Sequence, residues 1–458
     1  MAEPTYIERL TPLDLLMPKT YIRVLFVFEQ AGSILQIIQN LGSGLDRLLK
    51  QVPWLSGRVF STKSVQDRDA SLEIRRNANH APTIVDKGTV AASYKCAASD
   101  GVFTKAIPSS VWPGPSIDDV LGVPVFAASI FRFADQGAGL CVCLHHNAVD
   151  GIGFSEIMRL WAQNVVDNSF TFSDSSQTRS ERLSEALSYD LTRVSSIASE
   201  DLLALHPEYS KMPPALPDKM PSSCTAKLFT ISIRWVDILK TLMRKYTLIP
   251  PTTNVVICAL IWPTVTRVRM QDNPSLRIEM SRLAMAVNGR PRISETFSRP
   301  GSPYFGNAVF YSLSKMPATV LAESDETPVR ELAKICDEIA RSQSRSTITS
   351  RHIAEVYQLA SCTEDRVGSL FVGWDLFGSR DLTITNWADL ELYGIDFGNV
   401  LGKPKFVRLP HMEADGVALI LPRQRSISPE ILEVMIMLRR DHLDALESDP
   451  MWQMLTSR

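Results

Sequence analysis

Between Leu140 and Val165 the hydrophobic period of this chain changes abruptly, and that change constrains the fold more than any other stretch. Leu140 to Leu144 is an unbroken apolar run that includes Cys141 and Cys143, the pattern of a buried strand. Phe154, Ile157, Met158, Trp161 and Val165 then recur at helical spacing. Only a small, Gly-flanked turn separates them, beginning His145-His146-Asn147-Ala148-Val149-Asp150-Gly151. An imidazole at the end of a buried strand is well placed to act as a general base. An aspartate four residues later can fix the turn without itself reacting.

The surrounding sequence repeats this mixture of strand and helix. Tyr21 to Phe28 reads as a buried strand, and Leu41, Leu45, Leu48 and Leu49 mark one face of a helix that Pro53 stops. Val125 to Phe133 and Leu140 to His146 flank a polar turn and predict a hairpin. Further on, Thr252 to Arg269 reads as a helix packed on its apolar side and kinked near Pro263. Leu283–Val287, Val417–Leu421 and Ile431–Leu438 read as strands, and Asp441–Glu447 as a short closing helix. From Asp167 to Arg193 the composition turns polar and Ser-rich, and 207–221 is a loose stretch with five prolines. The domain connection is therefore expected between about residues 175 and 222.

With 458 residues, two domains are the default expectation. A formal net charge of -2 gives no global field favouring nucleic acid or an anionic membrane, so no nucleic-acid partner is expected. The seven cysteines form no CxxC pair, which argues against a zinc ribbon or a disulfide framework and for a reducing, cytoplasmic setting. No apolar run reaches membrane-spanning length, and the N-terminus lacks a signal pattern.

Several chemistries are disfavoured by the motif itself. Successive strand side chains point to opposite faces, so His145 and His146 should diverge and not join Asp150 on one metal. No metal site is expected there. Gly151-Ile152-Gly153 superficially resembles a dinucleotide loop, but Glu156 stands where the third glycine belongs. Neither GxxxxGK[ST] nor GxSxG occurs, so a phosphate loop and a covalent serine hydrolase are both disfavoured.

The companions of His145–Gly151, which reads HHxxxDG, carry a family resemblance over nearly the full length. In order these are Pro12-Leu13-Asp14 with Pro18, Leu45 to Arg58, Thr253-Asn254 with Ile261-Trp262, and Val287 to Arg292 (VNGRPR). Tyr304-Phe305-Gly306-Asn307 (YFGN), Thr385-Asn386-Trp387 and Asp396-Phe397-Gly398 follow. The chain thus resembles the BAHD acyltransferases, and among them the fungal trichothecene 3-O-acetyltransferase-like branch. It departs from that pattern after Gly398, where Asn399-Val400-Leu401-Gly402-Lys403-Pro404 replaces the usual Trp-Gly.

The resemblance implies an α/β (α+β) fold of two similar chloramphenicol-acetyltransferase-like domains with an active-site channel at their interface. Residues 1–200 would form the first domain and 201–458 the second, with about 396–415 crossing back to pack on the first. It implies acyl transfer from acetyl-CoA or another acyl-CoA co-substrate to a small-molecule alcohol or amine, with no permanently bound cofactor, in a monomer. His146 would be the general base. Asp150 would give structural support through a salt bridge to Arg290 or, second, Arg292. Trp387 would be the candidate oxyanion donor. Competing readings are an N-acyltransferase, a condensation-domain-like enzyme using another thioester, and a catalytically idle binding protein.

Overall fold

The computed structural model describes residues 6–30, 32–62, 71–76, 82–100, 107–114, 122–173, 177–214, 223–322, 328–363, 370–425 and 430–456. Two sheets dominate it. The first has five strands in the order Phe406–Arg408, Tyr21–Phe28, Ala138–His145, Phe126–Arg132, Ile84–Thr89. The second has six, in the order Cys224–Ser232, Ile431–Arg439, Val417–Ile420, Leu382–Asn386, Met280–Asn288, Val309–Pro317.

The strand Ala138–His145 is buried at every position because it lies in the middle of the first sheet. It pairs antiparallel with Tyr21–Phe28, setting Tyr21 opposite His145, and antiparallel with Phe126–Arg132. The hairpin expected from the sequence is therefore present. Helices Ile34–Gln51 and Gly151–Val166 pack together against this sheet through Leu41, Leu45, Leu48, Phe154, Ile157 and Trp161. The edge strand Phe406–Arg408 comes from far along the chain and pairs with Val27, Phe26 and Leu25.

A second core lies between the six-stranded sheet and helix Thr253–Asp272. The sequence predicts one apolar side for this helix. The structure corrects that: every residue from Val255 to Thr266 is buried. The helix lies under the sheet and is covered by helices Ile233–Met243, Ala318–Ala322, Pro328–Ser342 and Arg440–Ser448, so it has no solvent side. It runs on through Pro263, with the Thr264 and Thr266 hydroxyls donating to carbonyls one turn back.

Two further expectations need correcting. The polar, Ser-rich stretch after Asp167 contains a helix, Arg179–Val194, followed by Ser199–Leu205. Thr178 and Glu181 form a capping box at its start, and Leu183, Leu187 and Leu202 enter a core shared with Leu13, Phe297, Tyr304 and Ile353. An exposed amphipathic helix with one narrow apolar stripe reads as polar composition, which hid it. The Asp441–Glu447 helix, observed as Arg440–Ser448, does not close the fold; helix Pro450–Thr456 follows and buries Trp452 and Leu455. Among the described residues, no helix is long and apolar enough to cross a membrane.

Candidate active site

The strand Ala138–His145 ends in a tight turn because its last backbone groups are already used. His145 N–H donates to Val125 O, and His146 N–H donates to Thr20 O at 2.8 Å. The amides of Ala148 and Val149 then fold back onto His145 O. Asp150 caps the next helix, its Oδ1 accepting from the amides of Ile152 (3.1 Å) and Gly153 (2.9 Å). A carboxylate suits this position, since the first amides of a helix lack internal partners. Gly153 has no substitute: an added Cβ would lie 2.1 Å from Phe305 O.

The two histidines part, as the sequence predicts, at the point where the strand gives way to the turn. His145 is buried, packs edge-on against Tyr21 at 5.3 Å, and burial pushes its pKa down to about 4. His146 is half-buried and lines a cavity of about 710 Å³. Its Nδ1 lies 3.2 Å from Val149 O. A carbonyl only accepts, so that contact puts the ring proton on Nδ1 and leaves the Nε2 lone pair available to take a proton. Burial lowers the His146 pKa below 6.5, against smaller opposing effects from hydrogen bonding and from Asp150.

Asp150 turns away from the cavity's centre into a buried ion pair. Arg290 Nη1 donates to Asp150 Oδ2 at 2.8 Å and Arg290 Nη2 to Oδ1 at 3.0 Å. The Ala308 amide adds a second donor to Oδ2. Arg290 also donates to the carbonyls of Tyr304 and Gly306, so VNGRPR and YFGN meet around the motif aspartate. Arg292 lies elsewhere: its guanidinium donates to the carbonyls of Gln343, Ser344 and Ile348.

Three residues of this network were not singled out from the sequence. Asn307 donates from its side chain to His146 O and to Asp14 Oδ1, and its amide also donates to Asp14 Oδ1. Asn147 donates to the carbonyls of Asp14 and Met17. Asp14 is fully buried, and burial raises its pKa above the ordinary carboxylate value despite these donors and the nearby Arg179 charge. The signal was present in Pro12-Leu13-Asp14 and YFGN, but only folding reveals that those segments meet.

The cavity runs between the two sheets. Beside His146 and Gly151 it is walled by Thr385, Asn386 and Trp387, and its apolar lining includes Leu390, Val417, Leu419 and Met437. Trp387 Nε1 lies 3.3 Å from where a Cβ on Gly151 would sit, so the indole edge packs on the first residue of the motif helix. Asn386 fixes this segment by donating to Asn254 and accepting from the Ala388 amide. Asp396-Phe397-Gly398 is a structural plug. Phe397 packs edge-on against Phe26, Phe28 and Trp161, and Gly398 has φ +77. That turn sends the chain across to the Phe406–Arg408 strand, with Lys405 N–H on Val27 O.

Comparison with known proteins gives consistent matches along the whole chain. The model of the Transferase family matches residues 8–452. The chain is 25% identical to a trichothecene 8-O-acetyltransferase of Fusarium sporotrichioides, covering 96% of each sequence. It is 24% identical to the O-acetyltransferase ptmV of Penicillium ochrochloron, covering 98% of this chain and 96% of that one. Among solved structures, F. sporotrichioides TRI101 complexed with coenzyme A and T-2 superposes with a TM-score of 0.80 at 18% identity, over 98% of this chain and 99% of that one. Vinorine synthase superposes with a TM-score of 0.64 at 17% identity, over 99% and 98%. These likenesses show the fold: two chloramphenicol-acetyltransferase-like α/β domains.

Proposed function

The chain is an acyltransferase that belongs to the Transferase family, and from that premise we propose that it acetylates a hydroxyl of a secondary metabolite with acetyl-CoA as donor. His146 is the general base. The acceptor hydroxyl gives its proton to His146 Nε2 as its oxygen attacks the thioester carbonyl. Negative charge builds on the carbonyl oxygen, where Trp387 Nε1–H is the candidate donor. The carbon–sulfur bond then breaks, the ester leaves, and coenzyme A takes the proton held by His146. No acyl-enzyme forms.

The observation that carries this reading is the contact of His146 Nδ1 with Val149 O. It lies beside a cavity of about 710 Å³ and leaves Nε2 as the proton acceptor. A base positioned in this way typically contributes on the order of 10²–10⁴-fold. Asp150 acts through the fold, because its carboxylate is occupied by Arg290 and by three amides. The apolar walls favour a bulky, largely hydrocarbon alcohol such as a terpenoid or alkaloid. Domains at 1–200 and 201–458, a single-chain enzyme and a cytoplasmic setting belong to the same proposal.

The test is to incubate purified protein with acetyl-CoA and a panel of polycyclic alcohols, following thiol release and product mass. An acetyl ester formed at a rate well above that of a folded His146→Ala variant is expected. Equal rates for the two proteins, or acetylation confined to amines, would overturn the reading.

A further inference from the structure

Far from His146, two histidines and two glutamates converge in a buried cluster that the acyl-transfer reading does not use. His206 and Glu208 sit in the turn after helix Ser199–Leu205; His352 and Glu355 lie one turn apart on helix Ser350–Cys362. His206 is 1% exposed and Glu208 4%. His206 Nδ1 lies 3.0 Å from Glu208 Oε1, and His352 Nε2 lies 3.4 Å from the same oxygen. One ligand atom each from His206, Glu208 and His352 falls within 4.8 Å of the other two. Neither His206 Nε2 nor His352 Nε2 has an aligned hydrogen-bond partner, although both are buried.

Two imidazole nitrogens and a carboxylate oxygen gathered this closely are the ligand types that zinc takes. Zinc binds nitrogen and carboxylate oxygen at about 2.0–2.2 Å in a tetrahedron, so its ligand atoms sit roughly 3.3–3.6 Å apart. The contact of His352 Nε2 with Glu208 Oε1, at 3.4 Å, lies in that range and is not an aligned hydrogen bond, whereas His206 Nδ1 makes an ordinary 3.0 Å hydrogen bond to the same oxygen, which a bound ion would replace. A metal-bound histidine also usually passes its other N–H to a carboxylate. Glu355 Oε2 stands 3.3 Å from His206 Nε2, and Arg351 holds Glu355 by its other oxygen at 2.9 Å.

We propose that His206 Nδ1, the Glu208 carboxylate and His352 Nε2 bind a zinc ion whose fourth position a water would fill, with the Glu355 carboxylate beside the second ring nitrogen of His206. The ion would fasten a wall of the cavity. Glu208 O accepts from the Gly373 amide at 2.8 Å, and Tyr209 pairs with Val372 across a two-stranded sheet. Trp374, next in sequence, and Tyr311, which packs against both Trp374 and Tyr209, line the cavity.

The test uses the full chain, stripped with EDTA, reloaded with ZnCl2 and desalted before mass-spectrometric metal analysis. About one retained zinc per chain is expected, with Tm raised by at least about 2 °C. Cobalt in its place should give visible bands without a thiolate charge-transfer band, which sets the site apart from the exposed Cys96 and Cys362. Glu208→Gln and His352→Asn should each retain at least tenfold less zinc, whereas the double variant Cys96→Ser, Cys362→Ser should retain it fully. The competing arrangement is the hydrogen bond between His206 Nδ1 and Glu208 with no ion bound. In that case the wild-type chain retains no zinc and its Tm ignores ZnCl2, and the proposal is overturned. It is overturned equally if both ligand variants keep their zinc.

Discussion

Replacing Asp150 with alanine tests whether the motif aspartate works through the fold. The Asp150 carboxylate accepts five hydrogen bonds, from the amides of Ile152, Gly153 and Ala308 and from two nitrogens of Arg290. Losing the helix cap costs about 1 kcal/mol. Leaving Arg290 buried without its partner costs roughly 3–5 kcal/mol. The low end applies, because Arg290 keeps the carbonyls of Tyr304 and Gly306. The Ala308 amide also loses its acceptor, at about 1 kcal/mol or more. Allowing for non-additivity, Asp150→Ala should cost about 4–6 kcal/mol, a large share of an ordinary stability of about 5–15 kcal/mol. Asp150→Asn keeps the cap but turns a donor towards both Arg290 and the Ala308 amide, and should cost about 2–4 kcal/mol. Pairing Asp150→Ala with Arg290→Met should recover at least about 2 kcal/mol, because the stranded charge is then gone. Urea unfolding followed by tryptophan fluorescence measures all three, alongside coenzyme A release for turnover. The reasoning fails if Asp150→Ala unfolds at the wild-type midpoint, above all if turnover is nevertheless lost.

His146→Ala should lower kcat by at least about a hundredfold with little change in urea midpoint; near-normal turnover in the folded variant would remove it as base. The rate should rise with pH as His146 loses its proton. Because burial lowers its pKa, that rise should be centred below pH 6.5, and a pH profile of kcat/KM centred above 6.5 would refute the assignment. Trp387→Phe keeps the ring against Gly151 but removes the N–H, so kcat should fall by roughly 10²–10³-fold while KM stays close to wild type; unchanged kcat would rule out the oxyanion role. Phe397→Ala should destabilise by about 3–5 kcal/mol, because that ring packs against Phe26, Phe28 and Trp161; an effect under about 1 kcal/mol, read by urea unfolding, would deny the plug its structural role.

Much of this protein was legible in one dimension wherever a local pattern had one physical outcome. The run Leu140–Leu144 is a strand because continuous apolar side chains need two buried faces, and the helix after Asp150 follows from its period. The divergence of His145 and His146 is what the pleat predicts, although the strand ends at His145 and His146 opens the turn. The family motifs, read in order, identified the chemistry as acyl transfer and put Arg290 ahead of Arg292 as the partner of Asp150. Tertiary structure alone decided the rest. Helix Arg179–Val194 looked like linker because its apolar stripe is narrow, and helix Thr253–Asp272 looked one-sided because sequence does not reveal what covers its other face. Asp14, Asn147 and Asn307 came together from segments as much as 293 residues apart. A buried polar group must find a partner somewhere, and which partner is a matter of three-dimensional proximity that no local spacing encodes. The same holds for the tautomer of His146. It depends on a carbonyl three residues ahead turning back to 3.2 Å, a distance set by how Asp150 and Arg290 close the turn.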